Sequence, residues 1–312
     1  MRFAVIGVGG AGGYFGARLV MAGHDVAFIG RGEHLAAIRK SGLRVDSVHG
    51  DVVARPGVAT DDPLEIGPVD CVIMGVKTWQ VPEAARAIAP LVGPATVVLP
   101  LQNGVEAPAQ IADALGREHA LGGTARIISF CVGPGHIKHV AAEPAIELGE
   151  LDGTRSARVE TLRQALQQSK GITATIPPDI RVAMWAKFLL IAPVGGVGAV
   201  TRAPIGVTRA MPGTRQLLES AMEEIERVAR ANEISLPREI VASTMAYVDG
   251  LPAEGTSSLQ RDLTEGKPSE LESLNGAVAR LGREVGVRTP TNAFLYQALL
   301  PLDRRARGDL EF

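Results

Sequence analysis

An α/β domain followed by an all-α domain is what this chain predicts, on three observations. The segment from Met1 to Arg31 reads strand, glycine turn, helix, strand. Short apolar runs then alternate with helical segments as far as Pro177-Pro178. Beyond that dipeptide, apolar residues recur at helical spacing only.

The first element is the apolar run Arg2 to Ile6, a buried strand. It leads into Gly7-Val8-Gly9-Gly10-Ala11-Gly12, which fits G-x-G-x-x-G. Gly7 permits a tight turn, Gly9 lets backbone approach a pyrophosphate, and Gly12 lets the next helix lie close to the strand. That helix runs from Ala11 to Met21, and its free N–H groups favour an anion. His24 to Ile29 is the second strand. Strand, glycine turn, helix and strand together predict a Rossmann-type nucleotide fold. A chain with 36 Gly produces chance matches to such a motif, so the weight lies in its position between strand and helix.

Arg31 stands after the second strand, where an NAD-binding fold places Asp or Glu and an NADP-binding fold often places Arg. This favours NADP. Two alternatives stay open: Glu33 serves the ribose if the strand ends later, and Arg31 is an ordinary solvated loop residue. His34 to Ser41 is a helix ended by Gly42, and Leu43 to Val53 alternates around Gly50-Asp51 as a hairpin does. The run Asp70 to Lys77 is a buried parallel strand whose end delivers Lys77-Thr78-Trp79-Gln80. After a helix from Pro82 to about Leu91, strand Val97 to Leu101 delivers Gln102-Asn103-Gly104, and Val105 to Leu115 is a helix. Ligands bind at this rim in open α/β sheets. Lys77 and Gln80 also suit helix entry, and Asn103-Gly104 a simple turn.

Strands follow at Ala120 to Ser129, His136 to Val140 and Ala145 to Leu148, then helix Ser156 to Ser169 and strand Ile172 to Ile176. His136 and His139 have no acidic or Cys partners in sequence and read as surface residues, so no metal site is expected. Asp179 caps a long apolar helix carrying Trp185, Lys187 and Leu190, which Pro193 and Gly195-Gly196-Val197-Gly198 should kink or end. Helices Thr214 to Ala231, Pro237 to Val248, Ser257 to Leu263, Ser269 to Val285 and Thr291 to Leu302 complete a bundle. Arg304 to Phe312 reads as a frayed tail.

With 46% hydrophobic and 21% charged residues among 312, the chain is globular. A net charge of −2 and the lack of an extended Lys/Arg block argue against nucleic acid and for a small-molecule ligand. Cys71 and Cys131 make no disulfide framework, and Cys71 reads as a buried thiol. No uncharged apolar run reaches about 18 residues and the chain opens on its first strand, so no membrane partner and a cytoplasmic location are expected.

The chain resembles the ketopantoate reductases (2-dehydropantoate 2-reductases) over nearly its whole length. The residues that carry the resemblance are the glycine turn, Arg31, Lys77 to Gln80, Gln102-Asn103-Gly104, Asp179-Ile180-Arg181 with Trp185 and Lys187, and Ser257 to Asp262 with Glu270 and Asn275-Gly276. The resemblance implies an NADP-binding Rossmann domain over 1–177 and a helical substrate-binding and dimerisation domain over 178–312. It also implies an active site in the cleft and NADPH-dependent reduction of a 2-oxo acid in pantothenate biosynthesis. Lys187 is then the general acid and Glu270 its acidic partner. Asn103 and Ser258 contact substrate or nicotinamide. Gly7, Gly9, Gly10, Ala11, Gly12, Arg31, Lys77, Gln80, Asn103 and Glu270 hold the cofactor.

The chemistry is sensible on its own terms. Hydride addition to a carbonyl leaves negative charge on oxygen, which a nearby cation stabilises and protonates. Burial among Trp185, Phe188, Leu189 and Leu190 lowers the pKa of Lys187 and a carboxylate raises it, for a modest net shift. Without the resemblance, Lys187 reads as a snorkelling lysine and Glu270 as a first-turn acid, and the resemblance reverses that. The chain departs from the family at Ile191, Gly195 and Gly255, where amide side chains are common. Ile191, Gly195 and Gly255 would line a roomier, less polar substrate pocket.

Three functions therefore stay open: reduction of 2-dehydropantoate or a similar 2-oxo acid with NADPH, a D-2-hydroxy-acid dehydrogenase for a bulkier or less polar acid with NAD, and a non-catalytic nicotinamide-binding regulator. The Thr214 to Ala231 helix and the C-terminal helices offer a homodimer face, though the same stripes serve the domain's own core equally.

Overall fold

The computed structural model describes all residues, Met1–Phe312. The chain divides into two compact units: Met1–Gln102 with Glu106–Ala183, and Asn103–Val105 with Met184–Phe312. The division falls inside the helix that follows Pro177-Pro178, not at the prolines themselves.

In the first unit, β1 (Arg2–Ile6), α1 (Gly10–Met21), β2 (Asp25–Ile29) and α2 (Gly32–Ser41) follow in order. A hairpin, β3 (Leu43–Ser47) and β4 (Val52–Ala54), precedes β5 (Val58–Thr60), β6 (Val69–Met74), α3 (Val81–Ala87), β7 (Val92–Pro100) and α4 (Ala107–Leu115). One sheet has the all-parallel order β5-β2-β1-β6-β7. Alternate residues serve its two faces. Phe3, Val5, Phe28 and Ile73 join Phe15 and Leu19 of α1. Ala4, Ile6, Ala27, Val72 and Met74 join Val81 and Ala85 of α3. Burial on both faces explains why these strands read as unbroken apolar runs. Cys71 is fully buried there, and burial pushes its thiol pKa up.

The remaining elements of this unit are β8 (Gly122–Gly133), β9 (His136–Gly149), α5 (Ala157–Gln168) and β10 (Thr173–Thr175). They build a second sheet of order β10-β9-β3-β4, with β8 paired to β9. The two strands expected between His136 and Leu148 are one, bent where Ala142 takes φ 62°. His139 is not a surface residue. It is 2% exposed, with Nδ1 2.9 Å from Ser47 Oγ and Nε2 3.0 Å from both Ala141 O and Ala142 O, so its ring anchors the bend.

At the end of β9, Glu150 accepts from Arg158 Nε and Nη2, each at 2.7 Å, and from Ser156 Oγ at 2.6 Å. The Arg158 bonds hold its carboxyl below the usual carboxylate range. A depressed carboxylate contributes stability above its unfolded-state pKa and loses it as pH falls through the folded one. Arg158→Ala should thus cost about 2 kcal/mol at neutral pH. Thermal unfolding should show the gap to wild type closing below about pH 4.

Helix α6 (Ile180–Thr201) crosses from the first unit into the second. Asp179 caps it, accepting from Arg181 N at 2.8 Å and from the Arg181 guanidinium at 2.9 Å. Contrary to expectation, Pro193 and the glycines do not end it. Leu259, Asn275 and Gln260 lie against Gly195, Gly196 and Gly198. Packing of this kind outweighs a helix-propensity cost of about 1 kcal/mol per glycine. The helix is long and apolar enough to cross a membrane by length and composition, yet 61% of its apolar window is buried inside the protein, as a core helix is.

The second unit continues with α7 (Ile205–Ala210), α8 (Pro212–Ala231), α9 (Ile240–Gly250) and α10 (Ser258–Thr264). A π-helical turn over Glu272–Gly276 precedes α11 (Ala277–Glu284), where a plain helix is expected. Its i+5 bond runs from Gly276 N to Leu271 O at 3.0 Å. The last helix, α12 (Pro290–Arg307), extends into the expected tail as far as Arg307 and ends at left-handed Gly308. Its start is capped by the buried Glu224 of α8, which accepts from Thr291 N and Asn292 N at 2.7 and 2.9 Å.

Candidate active site

The glycine turn is built by close backbone approach. Gly7 takes φ +86°, and a Cβ there would lie 2.5 Å from Val76 N. A Cβ on Gly75, just after β6, would lie 2.7 Å from Gly7 O, and one on Gly12 would also strike that oxygen. Three glycines thus interlock the first turn with the end of β6. The third, Gly75, is missing from the motif and was signalled only by its place after an apolar run. Gln102 secures the same loop, donating from Nε2 to Met74 O at 2.9 Å and Val76 O at 2.8 Å.

Gly9 is different: a Cβ there would meet nothing within 4 Å. It is the N-cap of α1, with no side-chain cap and no acid in the first turn. Gly10 is pressed against Ser129 of β8, and Ala11 is half-buried on the first turn. A bare helix N-terminus facing open space fits the pyrophosphate of a dinucleotide.

Strand β2 ends at Ile29, so Arg31 is the residue at its tip and Glu33 already belongs to α2. The Arg31 side chain is 81% exposed, with Nη2 3.6 Å from Glu83 Oε1. Lys77 is exposed, its Nζ 5.9 Å from the Trp79 ring centroid. Gln80 accepts from Lys77 N at 3.1 Å, the helix-entry cap that its position also suggests.

The second unit gathers the other candidates. Asn103 Nδ2 donates to Glu270 Oε2 at 3.1 Å across 167 positions of sequence. Gly104 makes this approach possible: its φ is +89° and a Cβ would lie 2.9 Å from Ser273 O, so the turn leans on the π-helical segment. Glu270 is 8% exposed. Lys187 lies half-buried on α6, with Ile191 one turn later on the same face. Two turns beyond Lys187, Gly195 is buried, and a Cβ on it would lie 3.0 Å from Leu259 Cδ2. The helix bearing Lys187 thereby packs against the segments bearing Ser258 and Asn275. Ser258 is exposed at the start of α10, while its neighbour Ser257 does the capping, accepting from Gln260 N at 3.0 Å.

Comparison with known proteins places the whole chain in one family. The model of ketopantoate reductase PanE/ApbA matches residues 3–153, and that of the PanE/ApbA C terminal matches residues 179–303. The chain belongs to the ketopantoate reductase family. A 2-dehydropantoate 2-reductase of Halobacterium salinarum is 31% identical, over 99% of this chain and 100% of that one. The crystal structure of 2-dehydropantoate 2-reductase from Geobacter metallireducens superposes with a TM-score of 0.88 at 30% identity, covering 96% and 99% of the two chains. A D-mandelate dehydrogenase solved with NADH and anilino(oxo)acetate shares the fold, with a TM-score of 0.89 at 24% identity over 98% of this chain and 99% of that one.

As a ketopantoate reductase family member, the protein is an oxidoreductase acting on CH–OH groups with a nicotinamide cofactor. Membership of the family accounts for an α/β unit followed by a helical one. It leaves unexplained two features that the sequence did not signal: Leu259 over Gly195, and the residues behind Glu270.

Proposed function

We propose that the protein reduces the C2 carbonyl of a 2-oxo acid with NADPH, 2-dehydropantoate being the default substrate. The observation that carries this reading is the Asn103–Glu270 hydrogen bond, in the same unit as half-buried Lys187. When bound, NADPH supplies the hydride. Lys187 stabilises the negative charge that develops on the carbonyl oxygen and gives it a proton. Glu270, oriented by Asn103, accepts from the substrate's hydroxyl and contacts the nicotinamide side. Ser258, exposed at the start of α10, is free to contact substrate. Gly7 to Gly12 receive the pyrophosphate, Lys77 and Gln80 flank it, and Arg31 takes the 2′-phosphate. Wild-type protein should consume NADPH when a 2-oxo acid is added. Cofactor binding with no turnover across a broad 2-oxo-acid panel would support a regulator instead.

Arg31 gives the cofactor half a separate test. A charge-assisted bond of about 1.5–3 kcal/mol corresponds to roughly ten- to a hundredfold in affinity. Arg31→Ala should weaken NADPH by that factor and leave NADH unchanged. Equal loss of both, or a wild-type preference for NADH, would assign the dehydrogenase reading with NAD.

A second reading concerns substrate. Ile191 places an aliphatic side chain where the family commonly has an amide, and Leu259 fills the space at Gly195. Ile191 and the Leu259 that packs on Gly195 make this part of the helix surface apolar rather than open. A D-2-hydroxy-acid dehydrogenase acting on acids with apolar side chains fits such a surface. Restoring one hydrogen bond is worth about 1 kcal/mol. Ile191→Asn should therefore raise kcat/KM for 2-dehydropantoate relative to a branched-chain 2-oxo acid by about fivefold. No change in that ratio would remove Ile191 from the specificity surface.

A further inference from the structure

Glu270 is held from behind by the end of the chain. The residue before it, Ser269, is fully buried. Asp303, 3% exposed on α12, accepts from Ser269 N at 2.8 Å and from Ser269 Oγ at 2.7 Å. One turn later, Arg307 Nη2 donates to Ser269 O at 2.7 Å, and its Nε donates to Asp303 Oδ2 at 2.7 Å. Every polar group of Ser269, backbone and side chain, is thus held by two residues of α12. On the other side, Glu270 O accepts from Ser273 N and Leu274 N at 3.1 and 3.0 Å, which fixes the chain as it leaves.

We propose that Asp303 and Arg307 are positioning residues that set the Glu270 carboxylate where Asn103 meets it. The inference rests on the reading of Glu270 given above. Starting a helical turn requires one acceptor for its first N–H groups. Here a buried carboxylate paired with a half-buried guanidinium is used, and apolar packing of the same volume often matches or exceeds a buried ion pair in stability. What the pair adds is direction: a planar guanidinium and a carboxylate grip one residue from both sides. Their hydrogen bonds to Ser269, the residue before Glu270, carry their effect to Glu270.

The experiment is a double-mutant cycle on the full chain, with kcat and both KM values measured alongside the thermal midpoint. The variants are Arg307→Ala, Arg307→Lys and Asp303→Asn, each in the wild-type and the Glu270→Gln background. Displacing a site group by an ångström costs up to about a hundredfold in rate. Arg307→Ala should lower kcat by about tenfold or more with KM for NADPH unchanged, and Arg307→Lys should recover part of that. In the Glu270→Gln background the Arg307→Ala effect should vanish. Should Arg307→Ala fail to fold, Asp303→Asn and Arg307→Lys carry the same comparison. The same fractional loss in both backgrounds, or a loss of stability alone, would overturn the proposal. If Glu270→Gln turns over like wild type, the role of Glu270 falls and the clamp with it. If Glu270→Gln is impaired and the α12 variants are not, the clamp alone falls.

Discussion

Lys187→Ala should lower kcat/KM for 2-oxo-acid reduction by about a thousandfold, while the affinity for NADPH changes little. General acid catalysis is worth about a hundred- to ten-thousandfold, and a cation placed at a developing oxyanion about as much again. In the proposed mechanism Lys187 serves both purposes, so its loss should fall on the transition state and lower kcat. Alanine is the best helix former, and the site lies in the middle of a 22-residue helix, so the variant should fold. Steady-state rates with NADPH and 2-dehydropantoate check this directly. A fall of less than tenfold would mean that the proton comes from elsewhere.

Gly104→Ala should have the next largest effect. Alanine at φ +89° is strained by about 1–2 kcal/mol, and its Cβ would sit 2.9 Å from Ser273 O. Either the Asn103 turn or the π-helical segment must shift, and the Asn103–Glu270 bond lies between them. We expect kcat/KM to fall about a hundredfold. NADPH affinity should fall far less than kcat/KM, because the glycine turn that would receive the pyrophosphate belongs to the other unit. Kinetics paired with NADPH titration measure both quantities. Simultaneous loss of NADPH binding would show that the change reaches beyond the substrate side.

The first half of the fold was legible because buried parallel strands and backbone close approach leave strong traces in sequence. Apolar runs mark β1, β2, β6 and β7, and the Gly7, Gly9 and Gly12 spacing marks the turn. Elements that depend on tertiary partners left weaker traces. Strand β5 has three residues at a sheet edge, too few for any period to show. Helix α6 runs through Pro193 because Leu259, Asn275 and Gln260 fill its glycine side. The arginines of 304–307 look like a solvated tail until Asp303 is seen to be buried beneath Arg307. His139 looks like a surface residue until Ser47 is brought beside it.

The candidate site divides in the same way. The nucleotide half is local in sequence, and its motif has a physical reason at each glycine. Asn103 and Glu270 lie 167 positions apart, and no spacing rule joins them. Family resemblance names both as site residues without pairing them, and the hydrogen bond between them comes from the structure. The resemblance said nothing of Leu259 over Gly195, which replaces an expected opening with a filled apolar surface.

In the proposed mechanism hydride passes directly from NADPH to C2 of a 2-oxo acid, and Lys187 supplies the proton to the carbonyl oxygen. The most direct measurement supplies NADPH deuterated at the transferring position of nicotinamide C4, and follows the label into product by mass spectrometry, for wild type and Lys187→Ala. The account predicts one deuterium at C2 of the hydroxy acid from wild type and almost none from the variant over the same time. Tight NADPH binding with no label in product from any 2-oxo acid, or equal labelling by Lys187→Ala, would contradict it.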